Sequence, residues 1–320
     1  MSYFITGGTG FIGRHLIQKL LARPGTIHVL VRKSSKDKFD ALLAQMGFDP
    51  KRVVAVYGDL GKPRLGLSPT QVKQLAGKVK HLFHLAAIYD LTADEESQIR
   101  ANVDGTKHAL QLGVAVKAGC FHHVSSIAAA GLYPGVFKED MFDEAEGLDD
   151  PYFRTKHDSE GMVRREYPRP YRIYRPAIVL GHSQTGEMDK IDGPYYFFRL
   201  IKRMRALLPQ WVPTIGIEGS RLNMVPVDYV ADAMDWIAHK PGLDGHCFHL
   251  TDPAPQRVGE ALNTFARAAN APQMTMRVDA RMFAFVPPMV RGAIFNLPPV
   301  KRFTNMMLRD LGIPRQVLKY

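Results

Sequence analysis

Cysteine is nearly missing from this sequence: Cys120 and Cys247 are the only two in 320 residues. Two thiols so far apart in the chain can build neither a disulfide framework nor a zinc site, so both are expected as buried, reduced side chains and no metal is expected. Long apolar runs are missing too. None reaches the ~18 residues of a membrane span. The opening MSYFITGGTG enters a strand directly and has none of the basic, apolar and small-residue segments of a secretory leader. A soluble, cytoplasmic chain is therefore expected. There is no internal repeat, no low-complexity tract, no zinc-finger spacing and no block of Lys and Arg interleaved with aromatics, which argues against nucleic acid as a partner.

What the chain has in quantity is apolar material and positive charge. Apolar residues make up 46%, enough for a large core, and a chain of this length buries roughly 75% of the surface its unfolded form exposes. Against 31 Asp and Glu stand 42 Lys and Arg, a net charge of +11. Such a surplus suits an anionic cofactor, an acidic substrate or an anionic membrane surface. Phosphorylated small molecules fit it best.

In the first half, short β-branched runs alternate with segments of helical period, the pattern of βαβ units around a parallel sheet. Strands are expected over Tyr3 to Thr6, Ile27 to Arg32, Val53 to Tyr57, His81 to Leu85, Phe121 to Ser125 and Tyr171 to Tyr174. Helices are expected over Thr9 to Ala22, from Ser68-Pro69-Thr70-Gln71 onward, over Glu95 to Ala118, and from Asp150-Pro151 to about Glu166. From Gly181 onward prolines and glycines interrupt every segment, as a substrate lobe of long loops would require. The architecture expected is α/β, a Rossmann-type doubly wound parallel sheet over 1–180 with a smaller α/β substrate-binding lobe over 181–320. The segment Asn223 to Lys240 is expected to return to the first domain. The last stretch, from MFAFVPP to Tyr320, is apolar, basic and proline-punctuated. It reads as an amphipathic surface element or as the cut edge of a longer polypeptide.

The first strand runs into Gly7-Gly8-Thr9-Gly10-Phe11-Ile12-Gly13 and then a helix. Gly7 suits the tight strand-to-helix turn, Gly10 lets backbone approach a pyrophosphate, and Gly13 lets the helix pack closely, while the helix N-terminus offers free amides to the anion. A dinucleotide is the expected ligand. The second strand ends in Arg32, followed by Lys33, Ser34 and Ser35, where an acid would accept the adenine ribose hydroxyls. A cation there suits a ribose 2′-phosphate, which selects NADPH. Asp59 and Leu60 follow the third strand at the depth of an adenine contact. Tyr152 and Lys156 stand four apart near a helix start and share a face, where an ammonium favours the charged phenol and makes Tyr152 a proton donor and acceptor.

These residues resemble the extended short-chain dehydrogenase/reductase family, in the family's own order. The match covers TGGTGFIG, His84-Leu85-Ala86-Ala87, Asn102 in NVDGT, Ser125-Ser126, the Tyr152 to Lys156 pair, Tyr174-Arg175-Pro176 and VPVDYV from Val225. The resemblance implies that Tyr152 is the general acid/base, that Lys156 binds the nicotinamide ribose and tunes Tyr152, and that Ser126 holds the substrate oxygen. It implies that Asn102 completes a proton relay and that Ala86, Ala87 and Pro176 line the cofactor. Ser126 rather than Ser125 matches the family serine, because it lies five residues before Gly131. Longer stretches, among them HHVSSIAAAG, RTKHDSE and LPQWVPTIGIEGSRLNMVPVDYV, resemble the N-terminal reductase domain of bacterial alcohol-forming fatty acyl-CoA reductases. Those proteins carry a second reductase domain that makes the aldehyde, so the resemblance implies reduction of fatty aldehyde to fatty alcohol here, with Tyr320 a truncation point before that domain.

The expected partners are a long-chain fatty aldehyde or acyl-CoA, a second reductase domain, a second copy of the chain and a weak peripheral contact with the inner membrane. Tyr195, Tyr196, Phe197, Phe198 and Trp211 are candidates for an acyl tunnel or for plain core. Arg199, Lys202, Arg203 and Arg205 form a basic helix face, solvated or set against phosphates. His122 and His123 are expected as satisfied core histidines, and Arg172 and Arg175 as structural pairings, with a reach to the cofactor side as the alternative for Arg175. A sugar-nucleotide epimerase or dehydratase of the same fold is the alternative, against which Arg32 counts. A non-catalytic cofactor sensor is disfavoured by the presence of Ser126, Tyr152 and Lys156.

Overall fold

A computed structural model describes residues 2–88, 94–189, 193–218 and 221–279. The apolar C-terminal stretch and Tyr320 lie outside the described residues. The chain divides into two units, 1–188 with 225–251, and 189–224 with 252–320.

The first unit is built from β1 (Ser2–Thr6), α1 (Phe11–Leu20), β2 (Thr26–Val31), α2 (Lys36–Met46), β3 (Val53–Tyr57), α3 (Pro69–Leu75) and β4 (Val79–His84). It continues with α4 (Glu95–Gln98), α5 (Gly105–Ala115), β5 (Cys120–Val124), α6 (Pro151–Glu166), β6 (Tyr171–Pro176) and β7 (Ile178–Leu180). The second unit holds α7 (Phe197–Leu207), β8 (Thr214–Glu218) and β9 (Arg221–Leu222); the chain re-enters the first through β10 (Met224–Pro226), α8 (Val227–His239) and β11 (Cys247–Leu250). It closes in the second with β12 (Gln256–Arg257), α9 (Val258–Ala268) and β13 (Met274–Asp279).

Seven strands form one sheet in the order β11-β6-β5-β4-β1-β2-β3, and every pair in it is parallel. The run from β1 to β3 extends one way and β4 onward the other, so the order reverses between β1 and β4. In an open parallel sheet that is where the carboxyl ends of the strands leave a crevice for a ligand. Both faces are covered. Tyr3, Ile5, Val29, Phe83 and Tyr174 pack with Leu16, Ile17 and Met234 of α1 and α8 on one side. Phe4, Leu82, Phe121 and Ile173 pack with Leu75, Leu112 and Val163 of α3, α5 and α6 on the other. Strands buried on both faces read as continuous apolar runs, and β1 is buried along its whole length.

The structure departs from the sequence expectation at three places. The helix expected over Glu95 to Ala118 is broken: after α4 a π-helical segment, Ile99–Asp104, precedes α5. β11 supplies a seventh strand to the main sheet from within the expected substrate lobe. α2 was not expected at all, because its apolar stripe is thin and Phe39 is its one buried residue.

In the second unit, β13 pairs with β8 in parallel and β12 with β9 antiparallel. Tyr195 and Phe198 lie against Phe265 of α9, with centroids 6.3 and 5.2 Å away, but Phe198 is exposed; the small core here is Ile201, Ala266 and Ala271 with Phe197 and Phe265 packed on it. Trp211 is 81% exposed.

Candidate active site

Gly7 follows β1 with φ +71°, a left-handed value that favours glycine. A Cβ there would lie 2.6 Å from the Ala86 nitrogen, so the glycine loop and the loop after β4 are in direct contact. Gly13 is closer still: its Cβ would stand 2.3 Å from the Gly7 oxygen and 2.7 Å from the Gly8 Cα. Gly10 caps α1 without any side-chain hydrogen bond, and the first turn holds no acidic residue. Thr9 and Gly10 are exposed, Phe11 and Ile12 half-buried. The helix thus presents unfilled amides and an uncompensated positive dipole end, a fit to a pyrophosphate.

Beyond β2, Arg32 and Lys33 are exposed at a 3-10 turn, Lys33–Ser35, whose last amide donates to the Arg32 carbonyl at 2.8 Å. The nearby acid Asp40 is taken by Lys36 at 2.6 Å. These residues fit the 2′-phosphate of a dinucleotide. Asp59 spends one carboxylate oxygen on the Gly61 amide at 3.0 Å. Leu60 lies against Gly105 and its carbonyl meets His108 at 2.9 Å, so this loop is braced by α5.

A buried chain of hydrogen bonds holds the ends of β1 and β4 together. Thr6 Oγ1 lies 2.8 Å from His84 Nδ1, and His84 Nε2 lies 3.0 Å from Thr106 Oγ1. Thr106 donates to the Asn102 carbonyl at 2.7 Å, so its hydroxyl must accept from His84 Nε2–H. His84 is then a neutral donor on that side and accepts from Thr6. Burial first, then His123 and Lys156, push its pKa well below the ordinary value and keep it neutral.

Asn102 sits in the π-helical segment. Its Nδ2 donates to the Ile88 carbonyl at 2.9 Å and to Thr155 Oγ1 at 3.1 Å, while its Oδ1 accepts from the Ile88 amide at 2.7 Å. Both amide protons are committed to protein, so the side chain expected in a proton relay is found bracing the loop after β4 against α6. Ala86 and Ala87 lie half-buried in that loop, and Pro176 is buried at the end of β6.

Ser126 stands at the carboxyl end of β5, in extended conformation at the start of a 3-10 turn, and its hydroxyl accepts from the Ala128 amide at 3.2 Å. Tyr152 is the second residue of α6. Asp150 caps that helix by accepting from the Tyr152 amide at 2.9 Å, and Pro151 fills the first helical position. Ser126 is near enough to Tyr152 to act on its phenol. Burial raises the phenol pKa above its ordinary value; Ser126 works against this and Asp150 adds to it. This corrects the expected lowering by Lys156: desolvation, invisible in a residue spacing, sets the direction. Lys156, one turn on, is 5% exposed, and burial lowers its pKa to about 8, with Glu160 pulling it back up.

His122 is satisfied, bonded to His81 at 3.0 Å and to the Tyr174 hydroxyl at 2.8 Å. His123 is not: both ring nitrogens are buried without a hydrogen-bond partner, and burial, then Lys156 and Arg164, push its pKa to about 3. Arg172 pairs with Asp244 and Arg175 with Glu160, both structural ion pairs.

Comparison with known proteins now adds to this geometry. The model of the NAD-binding family described as "Male sterility protein" matches residues 5–234. A non-canonical nonribosomal peptide synthetase, FrzA, of Cladobotryum sp is 31% identical over 298 residues, 84% of this chain and 28% of that protein. The L-2-aminoadipate reductase large subunit of Penicillium chrysogenum is 31% identical over 303 residues, 85% of this chain and 21% of its own length. The chain thus spans less than a third of these relatives. Among solved structures, the terminal R domain from the myxalamid PKS-NRPS biosynthetic pathway superposes with TM-score 0.74 at 26% identity, covering 96% of this chain and 79% of that one.

Proposed function

The chain belongs to the NAD-binding family described as "Male sterility protein" and is a reductase of the extended short-chain dehydrogenase/reductase type, and from that premise we propose that it is NADPH-dependent and reduces a long-chain fatty aldehyde to the alcohol. It does so as one part of a fatty acyl-CoA reductase, in which a second reductase domain supplies the aldehyde. The observation that carries this reading is the placement of Ser126 at the carboxyl end of β5 and of Tyr152 with the buried Lys156 in the first turns of α6, in the same unit as the glycine loop and the cationic end of β2.

NADPH, when bound, supplies a hydride to the carbonyl carbon. The amides at the start of α1 hold the pyrophosphate, and Arg32 with Lys33 and Ser35 hold the 2′-phosphate. Ser126 donates its hydroxyl proton in a hydrogen bond to the carbonyl oxygen and keeps that oxygen beside Tyr152. Tyr152 is a neutral phenol through the neutral range, and burial, which raises its pKa, keeps it so; it gives its proton to the oxygen as negative charge develops there. Lys156 positions the ribose and, while cationic, stabilises the phenolate left behind. A proton from solvent then restores the phenol, so each turnover consumes one NADPH and one proton. A thioester would need two such rounds. The first gives a hemithioacetal that collapses to aldehyde and thiol, and the second gives the alcohol.

The testing assay is NADPH oxidation by the purified chain with a long-chain aldehyde and, in parallel, a long-chain acyl-CoA. Turnover of the aldehyde alone is expected. Turnover of the thioester would place both reductions in this chain, and silence with both despite NADPH binding would refute the fatty substrate.

A further inference from the structure

Among the described residues Glu160 is the only buried carboxylate, 0% exposed, and the mechanism above makes no use of it. Its bonding is dense. Oε2 accepts from the Ser125 hydroxyl at 2.7 Å and from Arg175 Nε at 3.0 Å; Oε1 accepts from Arg175 Nη2 at 2.6 Å and from Arg164 Nε at 2.9 Å. Arg175 in turn donates to the Met141 carbonyl at 2.9 Å and lies 3.2 Å from His249 Nε2. One carboxylate therefore ties together α6, the end of β5, β6 and the loop near residue 141.

Two of these ties reach the reducing site. Ser125 immediately precedes Ser126 and its amide donates to the Tyr174 carbonyl at 2.8 Å, so with its hydroxyl held by Glu160 the backbone entering Ser126 is fixed from both sides. Glu160 also stands four residues after Lys156 on α6, which puts both on one face of the helix. The groups acting on Lys156 are few. His84 on β4 and His123 on β5 feel its charge and both are neutral, and the group that acts on Lys156 itself is Glu160. Glu160 is the one that carries negative charge. Burial would raise its own pKa, but Arg175, Arg164 and the Ser125 bond outweigh burial and hold it below the ordinary range, so it is ionised.

We propose that Glu160 is the positioning residue and buried counter-charge of the reducing site, holding Ser126 through Ser125 and facing Lys156 along α6. This rests on the reading of Ser126, Tyr152 and Lys156 as that site. A bare stabilising ion pair would be replaceable by uncharged groups without functional effect; Glu160 would not be.

The test has one arm that needs turnover and one that does not. Ser125→Ala keeps every charge and removes only the tie to Ser126. It should lower kcat about tenfold with the KM for NADPH unchanged, and Ser125→Thr, which keeps the hydroxyl, should restore it. The second arm uses unfolding free energy against pH for the full chain with and without Lys156→Met, in the native background and with Glu160→Gln. The pH at which the effect of Lys156→Met changes reports the lysine's own titration, whether or not any substrate is turned over. It should fall by about one unit with Glu160→Gln, the usual consequence of removing a neighbouring opposite charge. If Glu160→Gln alone does not fold, the Ser125→Ala arm decides. An unmoved titration, or full kcat in Ser125→Ala, overturns the proposal. Absence of turnover in the unaltered protein would refute the proposed function alone, because the second arm still decides the role of Glu160.

Discussion

Replacing Lys156 by methionine should stabilise the protein near neutral pH while abolishing turnover. Lys156 is 5% exposed, and its folded pKa is about 8 against 10.5 for a free lysine. A gap of about 2.5 units at 1.36 kcal/mol each puts the cost of burying this cation at about 3 kcal/mol. The sign follows from proton counting. Between about pH 8 and 10.5 the unfolded chain keeps the lysine proton and the folded chain has lost it, so the unfolded state binds more protons and stability rises with pH across that window. Below it the cost is present in full. Cys120, Cys247 and Tyr167 act the other way: burial raises each to about 12, so the unfolded chain loses those protons first and stability falls as the pH rises. They are common to both proteins and cancel in the difference. Methionine fills nearly the same space without a charge, so urea unfolding near pH 7 should show Lys156→Met more stable by about 3 kcal/mol, shrinking toward zero by about pH 10.5. A variant less stable than the parent near neutrality, or a difference flat across this range, would refute a buried, costly cation.

Arg32→Glu should raise the KM for NADPH about 10- to 100-fold and leave that for NADH nearly unchanged, because a charge-assisted bond to phosphate contributes about 1.5–3 kcal/mol; equal losses with both cofactors would sink the 2′-phosphate assignment. Gly13→Ala should abolish NADPH binding and lower the melting temperature, since its Cβ would meet the Gly7 oxygen at 2.3 Å, whereas Gly10→Ala meets the same oxygen at 3.2 Å and should be the milder change by calorimetry. Asn102→Ala removes three hydrogen bonds and leaves the Ile88 amide and carbonyl without their partner, a cost of about 2–4 kcal/mol; a loss under about 1 kcal/mol in urea would contradict the bracing role.

The parallel sheet was legible because short runs rich in β-branched and aromatic residues alternate with segments of helical period, and because the glycines after β1 announce a strand-to-helix turn. β11 was not. Its four residues, Cys247 to Leu250, lie among prolines and glycines, and only the register of Phe248 opposite Tyr174 and Leu250 opposite Pro176 makes them a strand. The break between α4 and α5 was hidden for the opposite reason. Every residue from Glu95 to Ala115 is tolerated in a helix, and the π-helical segment answers to what Asn102 must reach, Ile88 on one side and Thr155 on the other. A local pattern cannot carry that demand.

At the proposed site Tyr152 and Lys156 were picked out as residue types at a fixed spacing and Ser126 by family resemblance, and their electrostatics were not visible. Spacing places an ammonium near a phenol and predicts attraction of charge. Burial acts on both groups at once and in opposite senses, raising Tyr152 and lowering Lys156. The two groups, nearly matched in water, are thereby moved apart in proton affinity: the lysine gives up its proton near pH 8 while the phenol holds its own beyond its ordinary range. The effect comes from the burial of both side chains in the packed fold, which a residue spacing does not show. Glu160 escaped notice for the same reason. A Glu four residues after a Lys on a helix is ordinarily a solvated surface pair contributing about 0.3–0.5 kcal/mol; here Arg175, drawn in from β6, makes it a buried anion. Its importance depends on a strand fifteen residues further along the chain.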